Sequence, residues 1–387
     1  MKKLISILGS TGSVGQNTLD IVNNRKNYFK ALIFSANKNY KLICKQIVKF
    51  KPDYFVINDQ KIYKKVSIKF KKNKVKILNN YDQINLKRNS NLTISAIPGL
   101  AGLEPTLKMI EKSDKILLAN KEAIICGWDL IKKKAKRNRT KLIPIDSEHY
   151  SIYQLLENQK MDYVKKIFIT ASGGPFLHLR PEQLKKVKLK HALKHPKWKM
   201  GKKITIDSSN LMNKVFEVIE AQKIFDIPSY KIDILIHPNS LVHAILVLKN
   251  GIKKFIYHET SMKIPLANAM FNGKLNIENF IKEKKILRFE NLTFEKVNKK
   301  LFPSITLLSK MNQFTSAPII INAANEILVD QFLKKKIDFL DINKIIMTIL
   351  KDENFKKYAI KRPKNIKQIY LIDNWARTLA MKKIKNL

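Results

Sequence analysis

Cysteine is almost missing from this chain: only Cys44 and Cys126 occur in 387 residues. Two thiols so far apart supply neither a disulfide framework nor a metal cluster, and a reducing cytoplasm fits them. Long apolar runs are missing too. No stretch reaches about eighteen apolar residues, which excludes an apolar helical span. Acidic residues are scarce: 31 Asp and Glu face 75 Lys and Arg, for a formal net charge of +44. Arginine is the rare member of the basic pair, and the lysines are spread along the whole chain. No aromatic-interleaved basic motif and no zinc-finger spacing accompanies them, which argues against a specific nucleic-acid interface. Heavy isoleucine and asparagine usage fits a lysine surface that drifted with AT-rich codons. Such a surface still attracts anionic ligands.

What is present is the apolar share of a globular protein, 45%, in a chain long enough for two or three domains. The opening Lys3-Leu4-Ile5-Ser6-Ile7-Leu8 resembles a signal peptide only superficially. Its run is short and leads into a glycine turn instead of a cleavage site, so it reads as a buried first strand. The turn is Gly9-Ser10-Thr11-Gly12-Ser13-Val14-Gly15, followed by a helix on which Val14, Thr18, Ile21 and Val22 share one face. Strand, glycine turn and helix form the context of a dinucleotide site, where backbone approaches a pyrophosphate at a helix N-terminus. The spacing is G-x-x-G-x-x-G, and a purely structural turn fits it as well. A second strand, Ala31 to Ser35, ends in Ala36-Asn37-Lys38-Asn39. No acid stands there for a ribose hydroxyl, and Lys38 would attract a 2′-phosphate, so the reading leans to NADPH.

Further strand-like runs are 54–57, 75–78 and 92–97, the last ending in Pro98-Gly99-Leu100-Ala101-Gly102. Lys115 to Ala119 then delivers Asn120-Lys121-Glu122 to a strand end, where ligands of open α/β sheets gather. The apolar run Leu142 to Ile145 leads into Asp146-Ser147-Glu148-His149. If that strand stays extended, Asp146 and Glu148 point the same way and form half of a hard-cation site. A polar turn with Ser147 capping the next helix fits the same residues.

Downstream, Ser172-Gly173-Gly174 after the run 166–170 offers a hydroxyl and approachable amides of the kind that hold phosphate. A basic segment, 185–190, looks solvated and mobile. His195-Pro196-Lys197-Trp198 leads to Gly201 in a loop able to act as a lid. In Asp207-Ser208-Ser209-Asn210-Leu211-Met212-Asn213-Lys214-Val215-Phe216-Glu217, a serine is expected to cap one helix running to about Ile224. Asn213, Lys214 and Glu217 then share a polar face, readable as site or as solvated surface. His237 and His243 read as structural. Residues from Ser304 on read as a helical region, with a helix starting at Ser316-Ala317-Pro318 and others near 340–351 and 367–385.

Taken together, GSTGSVG at 9–15, LANKE at 118–122, DSEH at 146–149 and SGGPF at 172–176 resemble the 1-deoxy-D-xylulose 5-phosphate reductoisomerase family. HPKWKMGKK at 195–203, the segment 207–217 and NAANE at 322–326 extend the resemblance, in the family's order, essentially end to end. The resemblance implies an α/β protein with a Rossmann-like NADPH-binding domain (1–145) and an α/β catalytic and dimerisation domain with a lid (146–275). A linker (276–300) and an α-helical C-terminal domain (301–387) would follow. It implies a homodimer of the non-mevalonate isoprenoid pathway that converts 1-deoxy-D-xylulose 5-phosphate to 2-C-methyl-D-erythritol 4-phosphate, by retro-aldol and aldol steps and then reduction.

Carried over by position, Asp146, Glu148 and Glu217 resemble the Mg2+ or Mn2+ ligands. Ser147, Ser172, His195, Ser208, Asn213 and Lys214 resemble substrate contacts, together with Glu148 and Glu217. Lys121 matches the lysine near the reacting oxygens and Trp198 the lid tryptophan. Thr11, Gly12, Ser13, Val14, Asn37, Lys38, Asn39, Asn120, Glu122 and Gly201 match cofactor contacts. Three positions depart from the family's habit: Asn37 and Val215 stand where glycine is usual, and Phe271-Asn272-Gly273 replaces other residues near the lid-facing wall. A semialdehyde dehydrogenase on a similar plan would need a nucleophilic cysteine, and neither Cys44 nor Cys126 has a catalytic context. A basic nucleic-acid binder is the reading from a different class.

Overall fold

Strands buried on both faces read as unbroken apolar runs, and these runs become one parallel sheet. In a computed structural model, which describes residues 2–198, 200–277 and 291–386, they form β1 (Lys3–Leu8), β2 (Phe29–Ala36), β3 (Tyr54–Ile57) and β4 (Lys76–Leu78). The sheet continues with β5 (Leu92–Ser95), β6 (Lys115–Leu118) and β7 (Lys141–Pro144), in the spatial order β4-β3-β2-β1-β5-β6-β7. All six pairings are parallel. Helices Ser13–Asn24, Tyr40–Phe50, Gln60–Lys69, Leu103–Ile110 and Lys121–Asn138 alternate with the strands. Ile5, Ile7, Ile33, Phe34, Phe55, Val56 and Ile94 fill the interior.

The chain forms two compact units. The first holds this sheet and, much later in sequence, the helix Lys263–Phe271. Phe271 joins Tyr28 and Phe29 in an aromatic cluster with centroids 4.8 to 5.5 Å apart. Lys263 pairs with Asp20 at 3.1 Å, and Lys115 Nζ donates to the carbonyl of Ala269 at 2.8 Å. Burial, then the like charges of Lys141 and Lys3, push the Lys115 ammonium below the usual lysine range.

The second unit has a mixed sheet of β8 (Val164–Ala171), β9 (Ile232–Ile236), β10 (Val242–Leu248), β11 (Lys253–Tyr257) and β12 (Glu295–Lys296), ordered β11-β10-β8-β9-β12. It also holds the C-terminal helices Ala317–Leu333, Phe339–Ile349, Phe355–Ala359 and Ile366–Lys385, packed around Ile320, Leu328, Phe332, Ile346 and Ile372. Arg377 ties the last helix to the first of these through Glu326 at 2.5 Å, and holds Asp373 one turn back at 2.6 Å.

The basic segment 185–190 is solvent-facing, as expected, and carries short helical turns flanked by the buried Leu184 and Ala192. Within the stretch expected to be a linker, 278–290 lies outside the described residues. Residues 295–296, further along that stretch, pair antiparallel with β9. No described helix is long and apolar enough to cross a membrane.

Candidate active site

Parallel strands all release the chain at the same edge, and the first unit uses that edge five times. Residues 9–14 follow β1, 37–39 follow β2, 97–102 follow β5, 120–122 follow β6 and 146–148 follow β7. Between β1 and its neighbours β2 and β5 the strand order turns, which is where ligands of open α/β sheets lie. The candidate site residues at 11–14, 37–39, 120–122 and 146–148 therefore stand on one edge of one unit.

The glycine turn divides its labour. Gly9 has φ +83°, and a Cβ there would sit 2.6 Å from the carbonyl oxygen of Ala96. Gly15 lets the helix press against the turn. At Gly12, the N-cap of the helix Ser13–Asn24, the nearest atom to an added Cβ is 3.3 Å away, and no side chain takes the first amides. Those amides are the ones suited to an anion. Beneath the turn, Ser10 Oγ donates to Gln46 Oε1 at 2.6 Å, and Gln46 Nε2 donates back to the Ser10 carbonyl at 2.9 Å. Both side chains are buried. Gln46 lies on the helix capped by Asn39, whose Oδ1 accepts the Leu42 amide at 3.2 Å. Lys38 is exposed in the loop between. The sequence reading missed Ser10 and Gln46, and a glutamine in an amphipathic helix carries no signal that would have found them.

Asn120 is buried and caps the helix Lys121–Asn138 by accepting the Ala123 amide at 2.9 Å. Its Nδ2 donates to the carbonyl of Gly99 at 3.0 Å, and the Gly99 amide reaches Glu122 Oε2 at 3.3 Å. These bonds join the turns after β5 and β6. Lys121 Nζ stands 3.4 Å from Asp146 Oδ2. The strand does not stay extended through Asp146: β7 ends at Pro144 and a helix runs from Ser147 to Leu155. Asp146 takes the cap position, its carbonyl accepting the Tyr150 amide at 2.8 Å, and Ser147 is the first helical residue. Acids in a first turn are favoured by the unpaired amides and the helix dipole. Ser147 Oγ donates to Glu148 Oε2 at 2.6 Å.

In the second unit, β8 ends at Ala171 and Ser172 follows, and Gly173 and Gly174 adopt φ of +80° and +63°. A Cβ on Gly174 would come within 3.0 Å of the Ser208 carbonyl oxygen, so this turn lies directly against the helix Lys202–Ser209. His195 Nδ1 accepts the amides of Lys197 at 3.1 Å and Trp198 at 2.9 Å. That assigns the ring proton to Nε2, which donates to Ser172 Oγ at 3.1 Å. Burial, then the charge of Lys214, pushes the imidazole down from 6.5 to about 4. The unfolded ring binds a proton between pH 6.5 and about 4 while the folded ring does not. The stability it contributes is thus complete above about pH 6.5 and is lost as pH falls toward 4. In the ligand-free protein the His195 ring signals are expected not to titrate above pH 5 by NMR; an inflection near 6.5 would refute its burial as a neutral base.

The helix expected over 208–224 is two helices, Lys202–Ser209 and Met212–Phe225. Asn210 Oδ1 takes the Met212 amide at 2.9 Å, and Leu211, buried, sits at φ +61°. Ser208 and Ser209 end one helix instead of capping the other. Asn213, Lys214 and Glu217 do come together on the second: Lys214 Nζ reaches Glu217 Oε2 at 2.5 Å, and Asn213 Nδ2 donates to Glu217 Oε1. Glu217 is buried, not part of a solvated face. Trp198 meets the ring of His243 edge-on with centroids 6.1 Å apart, and His243 stacks on His258 at 3.9 Å. Gly201 opens the helix Lys202–Ser209 with nothing within 4 Å of an added Cβ.

A parallel sheet with a glycine turn at its switch point, in a chain with a second α/β unit and C-terminal helices, places the chain among α/β proteins of dinucleotide-binding type. The family model for 1-deoxy-D-xylulose 5-phosphate reductoisomerase matches residues 5–127, and those for its C-terminal domains match 142–225 and 258–379. The chain belongs to the 1-deoxy-D-xylulose 5-phosphate reductoisomerase family. The enzyme of that name from Pelagibacter ubique (strain HTCC1062) is 42% identical over 382 residues, covering 97% of each chain. That of Wolbachia pipientis subsp. Culex pipiens (strain wPip) is 39% identical, covering 100% of this chain and 98% of its own. A crystal structure of DOX-P reductoisomerase in complex with NADPH, fosmidomycin and magnesium matches with TM-score 0.92 at 30% identity, covering 99% and 98%. The Zymomonas mobilis enzyme in complex with NADPH matches with TM-score 0.87 at 30% identity over the full length of both.

Proposed function

We propose that this chain rearranges and reduces 1-deoxy-D-xylulose 5-phosphate to 2-C-methyl-D-erythritol 4-phosphate with NADPH and a divalent cation, in non-mevalonate isoprenoid synthesis. The observation that carries this reading is the single sheet edge shared by the glycine turn, Lys121 and the Asp146–Glu148 pair, in a chain of this family.

The residues fit both groups. Asp146, Glu148 and Glu217 offer three carboxylates, a hard donor set suited to Mg2+ or Mn2+ and not to a thiolate-loving metal. Thr11, Gly12, Ser13 and Val14 would border the pyrophosphate, and Asn37, Lys38 and Asn39 the ribose and its 2′-phosphate. Asn120, Glu122 and Gly201 are the remaining cofactor contacts. When bound, the cation supplies Lewis-acid polarisation of the carbonyl and NADPH the hydride. Ser147, Ser172, His195, Ser208, Asn213 and Lys214 bind and orient the substrate, several of them at its phosphate. Glu148 and Glu217 meet its oxygens as well. Lys121, its ammonium beside Asp146, holds a positive charge near the reacting oxygens. Trp198 covers the substrate and keeps water away.

We read the domains as 1–145 for cofactor, 146–275 for metal, substrate and dimerisation, 276–300 as linker and 301–387 as a helical domain. The working form is a homodimer in the cytoplasm. A thiol-dependent dehydrogenase reading finds no support, because Cys126 is buried and Cys44 lies mid-helix. NADPH absorbance should fall only when 1-deoxy-D-xylulose 5-phosphate and Mg2+ or Mn2+ are both present, stop with a chelator and resume on adding metal back. No substrate-dependent oxidation with either ion would overturn the assignment.

A further inference from the structure

Asp207 is almost fully buried, one residue before Ser208, and it is held from two sides. Lys203 Nζ, one turn earlier on the same helix, pairs with Asp207 Oδ2 at 2.9 Å. Asn325 Nδ2, from the middle of the C-terminal helix Ala317–Leu333, donates to Asp207 Oδ1 at 2.8 Å. Lys203 also lies over the ring of Phe216, 5.4 Å from its centroid, and Phe216 precedes Glu217 on the next helix. A buried carboxylate with a fixed amide donor and a fixed cation has one low-energy orientation. The helix Lys202–Ser209 cannot rotate or slide without breaking one of the two bonds. Its last turn carries Ser208, whose carbonyl lies against Gly174 of the Ser172 turn.

We propose that Asn325 is a positioning residue for the substrate-phosphate seat. Through Asp207 it fixes the last turn of the helix Lys202–Ser209, so that Ser208 stands in register with the Ser172 turn. The C-terminal helical region thereby takes part in substrate recognition although Asn325 itself is fully buried and touches no ligand. This inference rests on the assignment of Ser208 and Ser172 as substrate contacts.

Steady-state kinetics of Asn325→Ala in the full chain test it, with Asn325→Ser as the milder second variant. The KM for 1-deoxy-D-xylulose 5-phosphate should rise about tenfold or more. The dissociation constant for NADPH, read by its fluorescence, should stay as in the parent. Equal loss of NADPH and substrate affinity would reduce Asn325 to a packing residue and overturn the inference. Ser208→Ala separates the two levels. If it raises the substrate KM while both Asn325 variants do not, this inference fails and the functional reading stands. If Ser208→Ala leaves the KM untouched, the substrate assignment fails with it.

Discussion

Glu217→Gln should lower kcat on the order of a thousandfold and leave NADPH binding unchanged. The substitution is nearly isosteric, so packing around this buried side chain survives. What it removes is the negative charge. Lys214 Nζ at 2.5 Å loses its counter-charge in a buried setting, and the proposed cation loses one of three carboxylates. Asn213, whose amide donates to the same carboxylate, keeps an acceptor in the glutamine oxygen. Rate and cofactor affinity should thus separate cleanly. Turnover near that of the parent, at saturating Mg2+ or Mn2+, would remove Glu217 from the proposed ligand set.

Gly15→Ala should have the largest effect on the first unit. A Cβ there would lie 2.4 Å from the Gly9 carbonyl oxygen and 2.6 Å from Ser10 Cα. Both are backbone atoms, so relief requires the helix Ser13–Asn24 to lift from the turn it caps. A stability loss of about 1–3 kcal/mol is the scale for such overpacking, and NADPH affinity should fall at least about tenfold as the helix amides leave the pyrophosphate path. Gly12→Ala is the control, since its Cβ meets nothing closer than 3.3 Å. Denaturant midpoints for Gly15→Ala and Gly12→Ala that match the parent would refute the close-approach argument.

The first unit was readable because its physics is local. Parallel strands buried on both faces leave continuous apolar runs, and the glycines that a strand-to-helix turn requires stand beside them. The reading failed where a side chain decides backbone geometry. Leu211, Val215, Val218 and Ile219 keep helical spacing straight through the break, which depends on Asn210 capturing the Met212 amide and on a leucine in left-handed conformation. Leucine is not a turn former, so composition gives no warning. At Asp146 the same residues suited an extended strand and a helix cap, and the cap won because unpaired amides favour acids. Pairings such as Ser10–Gln46 and Asp207–Asn325, separated by 36 and 118 residues, are tertiary and leave no periodic trace.

The Ser10–Gln46 pair bears on how this chain can change over generations. The Ser10 hydroxyl donates to the Gln46 side chain, while the Gln46 amide donates to the Ser10 main-chain carbonyl, so replacing Ser10 takes a donor from a buried amide oxygen and replacing Gln46 takes one from a buried carbonyl, each at a cost of about 1–3 kcal/mol. Replacing both by apolar groups removes the side-chain bond but still leaves the Ser10 carbonyl without its glutamine donor. Gln46 is the more constrained of the two, because its amide serves a stretch of main chain that every substitution at position 10 retains.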